Sequence, residues 1–152
     1  PDIKVNIMSM SLKELENLFE KLYGNNKNTF IIPFGGRFPH FVNLMAYHID
    51  KALTKKIKDD VKNIWLVIGS GTLINSLYQV FPNSKFNGIQ VGRRIYNDIL
   101  EPERTKLYIS RKRFANNADI KPPYESVGNY DAKLWKFILK YGKDGDYIWN
   151  VH

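Results

Sequence analysis

The residues best placed to do chemistry are Gly69-Ser70-Gly71-Thr72, set between a short apolar run and a stretch with helical spacing. Glycine admits positive φ and lets an oxyanion come close to the backbone. The first N–H groups of a helix lack intrahelical partners and sit at the positive end of its dipole, and Ser70 and Thr72 would add hydroxyl donors. Such a turn can hold a phosphate. It can also be a tight connection in which Ser70 or Thr72 caps the helix. No Gly-Lys-Ser/Thr follows, so it is not a P-loop, and the spacing is not the dinucleotide G-x-G-x-x-G.

Other chemistries find less support. The chain has no cysteine, which removes thiol nucleophiles, disulfides and thiolate metal sites. His40 and His48 lie eight residues apart with no third ligand, so no metal is expected. None of the three histidines accompanies a Gly-x-Ser-x-Gly elbow. Asp59-Asp60 and Asp144/Asp146 fall in expected loops, where solvation accounts for them. The net charge of +8 raises a polyanionic partner, and the one dense basic cluster is Arg111-Lys112-Arg113, with Arg93-Arg94 and Arg104 as candidate neighbours. That cluster reads either as solvated surface or as a nucleic-acid site, where Tyr108 and Phe114 could stack on bases.

The elements that must position the glycine turn follow from pattern. Ile64-Trp65-Leu66-Val67-Ile68 has the length and β-branched character of a strand buried on both faces. Leu73, Leu77, Val80 and Phe81 follow at helical spacing, Pro82-Asn83-Ser84 stops that helix, and Phe86, Ile89 and Val91 begin the next strand. This is a βαβ unit, expected right-handed, with its first turn at the carboxyl end of the sheet, where open α/β sheets place ligands.

Upstream, Ile3 to Met8 alternates as a first strand, and Ser11-Leu12-Lys13-Glu14 is a capping box opening a helix with Leu12, Leu15, Phe19 and Leu22 inward and Gly24 at its end. Thr29 to Ile32 predicts a second strand, ended by Pro33-Phe34-Gly35-Gly36. A helix is expected from Pro39 to Lys58 with Phe41, Leu44, Met45, Ile49, Ala52 and Leu53 inward. Downstream, Lys106 to Ser110 reads as a strand and Phe114 to Val127 as an extended connection containing Pro122-Pro123. Tyr130 to Tyr141 reads as a helix with Leu134, Phe137, Ile138 and Tyr141 inward, and Asp146 to Val151 as a last strand. Trp65 and Trp149 are expected in the core. This alternation predicts a single α/β domain over residues 1–152: three αβα layers, a mostly parallel sheet with helices on both faces.

At 152 residues, 43% of them hydrophobic and 14% aromatic, the chain can bury a core. No apolar run approaches the roughly 18 residues that span a bilayer, and no signal-peptide pattern is present. The expectation is a soluble cytoplasmic protein that does not enter a membrane.

Several segments in order resemble the fold type II pyridoxal-phosphate enzymes, in the branch of 1-aminocyclopropane-1-carboxylate deaminase and D-cysteine desulfhydrase. Ile31-Ile32-Pro33-Phe34-Gly35-Gly36 is similar to that branch's strand ending in Ile-Pro-x-Gly-Gly. Trp65 to Ile68 entering Gly69-Ser70-Gly71-Thr72 is similar to its strand and Gly-Ser-x-Gly-Thr phosphate loop. Pro82 through Gly88-Ile89-Gln90-Val91 resembles its following strand, and Tyr130-Asp131-Ala132-Lys133 resembles its Pro-x-Tyr-x-Gly-Lys segment. The resemblance covers residues 29 to 151.

It implies pyridoxal 5'-phosphate as cofactor, with the phosphate held by Gly69, Ser70, Gly71 and Thr72 and with Tyr130 near the ring or substrate. It also implies Asp131 as the acid at the pyridine nitrogen, where a carboxylate keeps the ring an electron sink. The family's Schiff-base lysine lies in a Gly-Asn-Lys segment that this sequence lacks, and Lys133 matches a different family lysine. Its loop is one residue longer, Arg37-Phe38 replaces its Ser-Asn, and Asn150-Val151-His152 replaces its His-Thr-Gly-Gly.

The chain is therefore expected to be the carboxyl-terminal part of such a fold, a lyase- or deaminase-related domain inactive alone. It would need a second chain or a missing amino-terminal segment, as a homo- or hetero-oligomer, or else be a pseudoenzyme. The alternative expectation is a non-enzymatic basic structural or nucleic-acid-associated protein, such as a virion component, that reuses the fold. A weaker third is a nucleotide-binding domain.

Overall fold

The structure, a computed structural model, describes residues 11–92, 94–95 and 99–151. The expected strand over Ile3 to Met8 lies outside these. Four parallel strands form the sheet: β1 (Asn63–Ile68), β2 (Lys85–Gln90), β3 (Thr105–Ile109) and the two-residue β4 (Tyr147–Ile148), in the order β3-β2-β1-β4. β1 lies in register with β2 from Asn63 opposite Lys85 to Ile68 opposite Gln90. The central position explains the unbroken apolar run of β1, whose residues from Ile64 to Ile68 are all buried.

Side chains of β1 alternate between two layers. Ile64, Leu66 and Ile68 join Ile74, Leu77 and Ala46 on one face, under α2 (Pro39–Ala52) and α4 (Thr72–Val80). Trp65 and Val67 join Ile89 and Leu134 on the other, where a 3-10 turn (Asp131–Leu134) runs into α5 (Trp135–Tyr141). Helices thus cover both faces of an all-parallel sheet, the expected α/β architecture. Trp65 also ties the edge strand, its Nε1 donating to Asp146 Oδ2 at 2.8 Å.

Several local expectations need correction. Thr29 to Ile32 is not a strand: Phe30 and Ile32 are 69% and 71% exposed, and no strand among the described residues pairs with them to satisfy an extended backbone. The helix expected from Pro39 to Lys58 breaks. Leu53 turns extended and Thr54 caps a separate α3 (Lys55–Asp60), its hydroxyl accepting from Ile57 N at 3.3 Å. The buried stripe of α2 is Val42 and Ala46, while Phe41 and Leu44 are exposed.

The last helix starts as the 3-10 turn, Tyr141 is exposed, and the last strand shrinks to Tyr147–Ile148. The capping box holds. In α1 (Leu12–Tyr23), Ser11 N donates to Glu14 Oε2 at 2.7 Å and Ser11 Oγ accepts from Glu14 N at 3.3 Å. The inward face expected for α1 does not: Phe19 and Leu22 are exposed, and none of its described side chains is buried.

Candidate anion site at the carboxyl end of the sheet

The end of β1 passes straight into Gly69-Ser70-Gly71, and α4 begins at Thr72 with Gly71 as its N-cap. Gly71 has φ +90°, and a Cβ there would come within 2.3 Å of Ile99 Cγ2, so this position requires glycine on both counts. The N-cap makes no side-chain bond. Asn75 Nδ2 instead holds the Gly71 carbonyl at 2.7 Å.

A second loop lies on this turn. The 3-10 turn Phe34–Gly36 places Gly35 at φ +68°, where a Cβ would fall 2.2 Å from Ser70 Cβ and Oγ. Thr72 Oγ1 donates to the Gly35 carbonyl at 2.6 Å, and Ser70 Oγ lies 3.0 Å from Thr72 Oγ1. Since the Thr72 proton is committed to Gly35, Ser70 is the donor of that pair. Thr72 N in turn approaches Ser70 Oγ at 3.4 Å. The two hydroxyl protons expected to face a ligand thus point along a chain from Ser70 to Thr72 to Gly35.

Cations take their place. A cavity of about 60 Å³ sits against Gly69 and Ser70, bordered by Arg37, Arg94, Phe34 and Glu16. At roughly 10–15 Å³ per water on this measure, it admits a few waters or one tetrahedral oxyanion. Neither arginine is in an ion pair among the described residues. Together with the positive end of α4 they make the cavity favourable to negative charge. Both were visible in the sequence without being placed: Arg37 as the residue after the paired glycines, Arg94 as a neighbour of a remote basic cluster. A cation directly after a glycine pair that abuts a phosphate-type turn is the signal that would have found Arg37.

Tyr130 reaches the loop, since a Cβ on Gly69 would lie 2.8 Å from its hydroxyl. Burial, and then the charge of Asp131, raise the Tyr130 pKa above the usual phenol value. Asp131 is buried too, and its Oδ1 accepts from Val127 N at 2.5 Å, which ties it to its own turn. Oδ2 has no hydrogen-bond partner among the described residues. Lys133 is fully buried, donating to the carbonyls of Arg113 at 2.9 Å and Phe114 at 3.1 Å. Burial lowers its pKa, and Lys112 and Lys136 push the same way.

Of the wider basic cluster, Arg93 lies outside the described residues. Arg104 precedes β3 and is structural, bonded to Glu101 Oε2 at 2.7 Å and to the carbonyls of Phe81 and Pro82. Arg111 to Arg113 follow the other end of that strand, with Lys112 paired to Asp119. Tyr108 packs between Trp65 and Tyr141, at 5.5 and 5.1 Å between ring centroids. His40 and His48 are exposed, and no group of three metal-ligating side chains occurs among the described residues.

The residues present suit a phosphate group and offer no amine to the aldehyde of a pyridoxal cofactor: Arg37 and Arg94 border the cavity, and no lysine among the described residues does. No family model matches the chain, and no solved structure matches it. Over 103 residues, 68% of this chain, it is 30% identical to an ATP synthase gamma chain of Fusobacterium nucleatum subsp. nucleatum. That match takes in 33% of the gamma chain, so this chain spans about a third of the length of the curated relative it resembles. No helix among the described residues is long and apolar enough to cross a membrane.

Proposed function

We propose that this chain is an α/β domain that binds a phosphate-bearing small molecule at Gly69 to Thr72. The observation that carries the reading is the meeting of Arg37 and Arg94 with the Gly69-Ser70 backbone at the amino end of α4. The resemblance to fold type II enzymes names pyridoxal 5'-phosphate as the ligand to try first, which when bound supplies an electron sink for carbanion chemistry. This chain's own residues would then bind and orient. The arginines and the loop N–H groups hold the phosphate, and Tyr130 limits the space above Gly69. Lyase or deaminase chemistry would require a lysine from a partner chain or another segment.

The test is titration of the purified chain with pyridoxal phosphate and with inorganic phosphate, followed by borohydride reduction and intact mass. Saturable binding of both, weakened in Arg37→Gln and Arg94→Gln, with no reducible stoichiometric adduct, is the expected result. A single-lysine adduct would transfer catalysis to this chain. Absence of binding would leave the second reading, a basic non-enzymatic protein associated with nucleic acid. That reading is favoured by exposed Arg111 and Arg113, and its mark is binding that falls steeply with salt.

A further inference from the structure

Arg94 borders the anion cavity from the segment that leaves β2, and side-chain amides hold that segment. Gln90 is the last residue of β2, in register with Ile68 of β1 and Ile109 of β3, so its backbone belongs to the interior of the sheet. Its side-chain Oε1 accepts from Ile95 N at 3.0 Å. A peptide unit is planar, so a bond at Ile95 N also orients the carbonyl carbon and Cα of Arg94, which lie in the same plane.

The neighbouring contacts agree with that anchor. Upstream, Val91 is buried and Gly92 turns at φ +81°, where a Cβ would lie 3.1 Å from the Phe114 ring. Downstream, Ile95 and Ile99 are buried in the core layer of Leu66 and Ile74. Asn75 Nδ2 donates to the Ile99 carbonyl at 3.3 Å as well as to that of Gly71, which ties Ile99 to α4.

Burial sets how deep Ile95 sits, but apolar packing has no direction. A hydrogen bond has a preferred distance and angle, and it decides which way residue 94 leaves the backbone. Arginine has a long side chain with much rotamer freedom, and a guanidinium serves an oxyanion best when it is held in place beforehand.

We propose that Gln90 is the positioning residue for Arg94, aiming its guanidinium at the anion cavity through the Ile95 peptide. This rests on the phosphate reading above and says what places the second of its two cations. Gln90 itself does not border the cavity, so it acts through Arg94 and not on the anion. Arg37 is placed independently, by the loop that Thr72 holds at Gly35.

The experiment is a double-mutant cycle on the full chain, read as affinity for inorganic phosphate. Gln90→Leu keeps the bulk and removes the acceptor. Gln90→Asn keeps the amide on a shorter arm and serves as the second variant, with urea denaturation reporting the folding of each. Either should weaken phosphate about three- to tenfold, the contribution of one hydrogen bond. Combined with Arg37→Gln, the losses should multiply. Combined with Arg94→Gln, the Gln90 substitution should change affinity less than about twofold, because the group it places is gone.

A loss of equal size in both arginine backgrounds would mark Gln90 as a general support of the fold and overturn the proposal. Unchanged phosphate affinity in the Gln90 variants, or in Arg94→Gln, would overturn it while leaving the site intact. If the wild-type chain binds no phosphate, the site itself fails and the role of Gln90 falls with it.

Discussion

The hydroxyl of Thr72 donates to the carbonyl of Gly35 at 2.6 Å, joining the first residue of α4 to a loop 37 residues earlier in the chain. This single bond decides the chemistry of the turn. It takes the proton of Thr72, directs that of Ser70, and fixes the loop that carries Phe34 and leads into Arg37.

Replacing Thr72 by valine keeps the shape and leaves the Gly35 carbonyl without its donor. A loss of about 1–3 kcal/mol in urea denaturation is expected, with Thr72→Ser recovering most of it. Phosphate affinity should fall in the valine variant, because the loop bearing Arg37 is no longer tied.

Two glycines separate conformational strain from steric conflict. Gly145 has φ +87° with nothing within 4 Å of a Cβ, so Gly145→Ala should cost only about 1–2 kcal/mol for the left-handed backbone. Gly35→Ala adds a clash at 2.2 Å with Ser70 and should cost more and abolish phosphate binding. Equal denaturation midpoints for the two variants would contradict the close approach of the loops.

Asp146 accepts from both Trp65 Nε1 at 2.8 Å and Lys143 N at 3.0 Å. Truncation to alanine would orphan the indole N–H of the most central tryptophan. The expected loss is about 1–3 kcal/mol, with a shift in tryptophan emission.

Tyr130 makes a pH prediction with a definite sign. Its pKa is raised in the folded chain, first by burial and then by Asp131. The unfolded phenol therefore releases its proton first. Stability is fully present below the ordinary phenol pKa of about 10 and falls as pH rises through the folded value. Tyr130→Phe should flatten the alkaline limb of a stability profile above about pH 10, leaving the contribution of Tyr78 and Tyr124, which are raised by burial in the same way. An unchanged limb would show that Tyr130 is hydrated when folded.

Features written in short range were legible in the sequence. The unbroken apolar run from Ile64 to Ile68 specifies a strand covered on both faces, and the capping box at Ser11 and Glu14 starts a helix with no help from elsewhere. The glycine turn at the end of β1 was equally readable, because positive φ at Gly71 and the start of α4 depend on neighbours a few residues away.

Which faces and charges find partners was decided only in three dimensions. Thr29 to Ile32 has strand composition, but β pairing needs an edge, and none among the described residues pairs with it. The periodicity of α2 allowed Phe41 and Leu44 inward as readily as Val42 and Ala46, and the position of α4 selected the latter. Arg37, Ser70 and Arg94 are far apart in sequence, and they border one cavity only because the fold brings them to one end of the sheet. Periodicity is a local property of the backbone. Burial, ion pairing and the direction of a hydroxyl proton depend on what the rest of the chain places alongside.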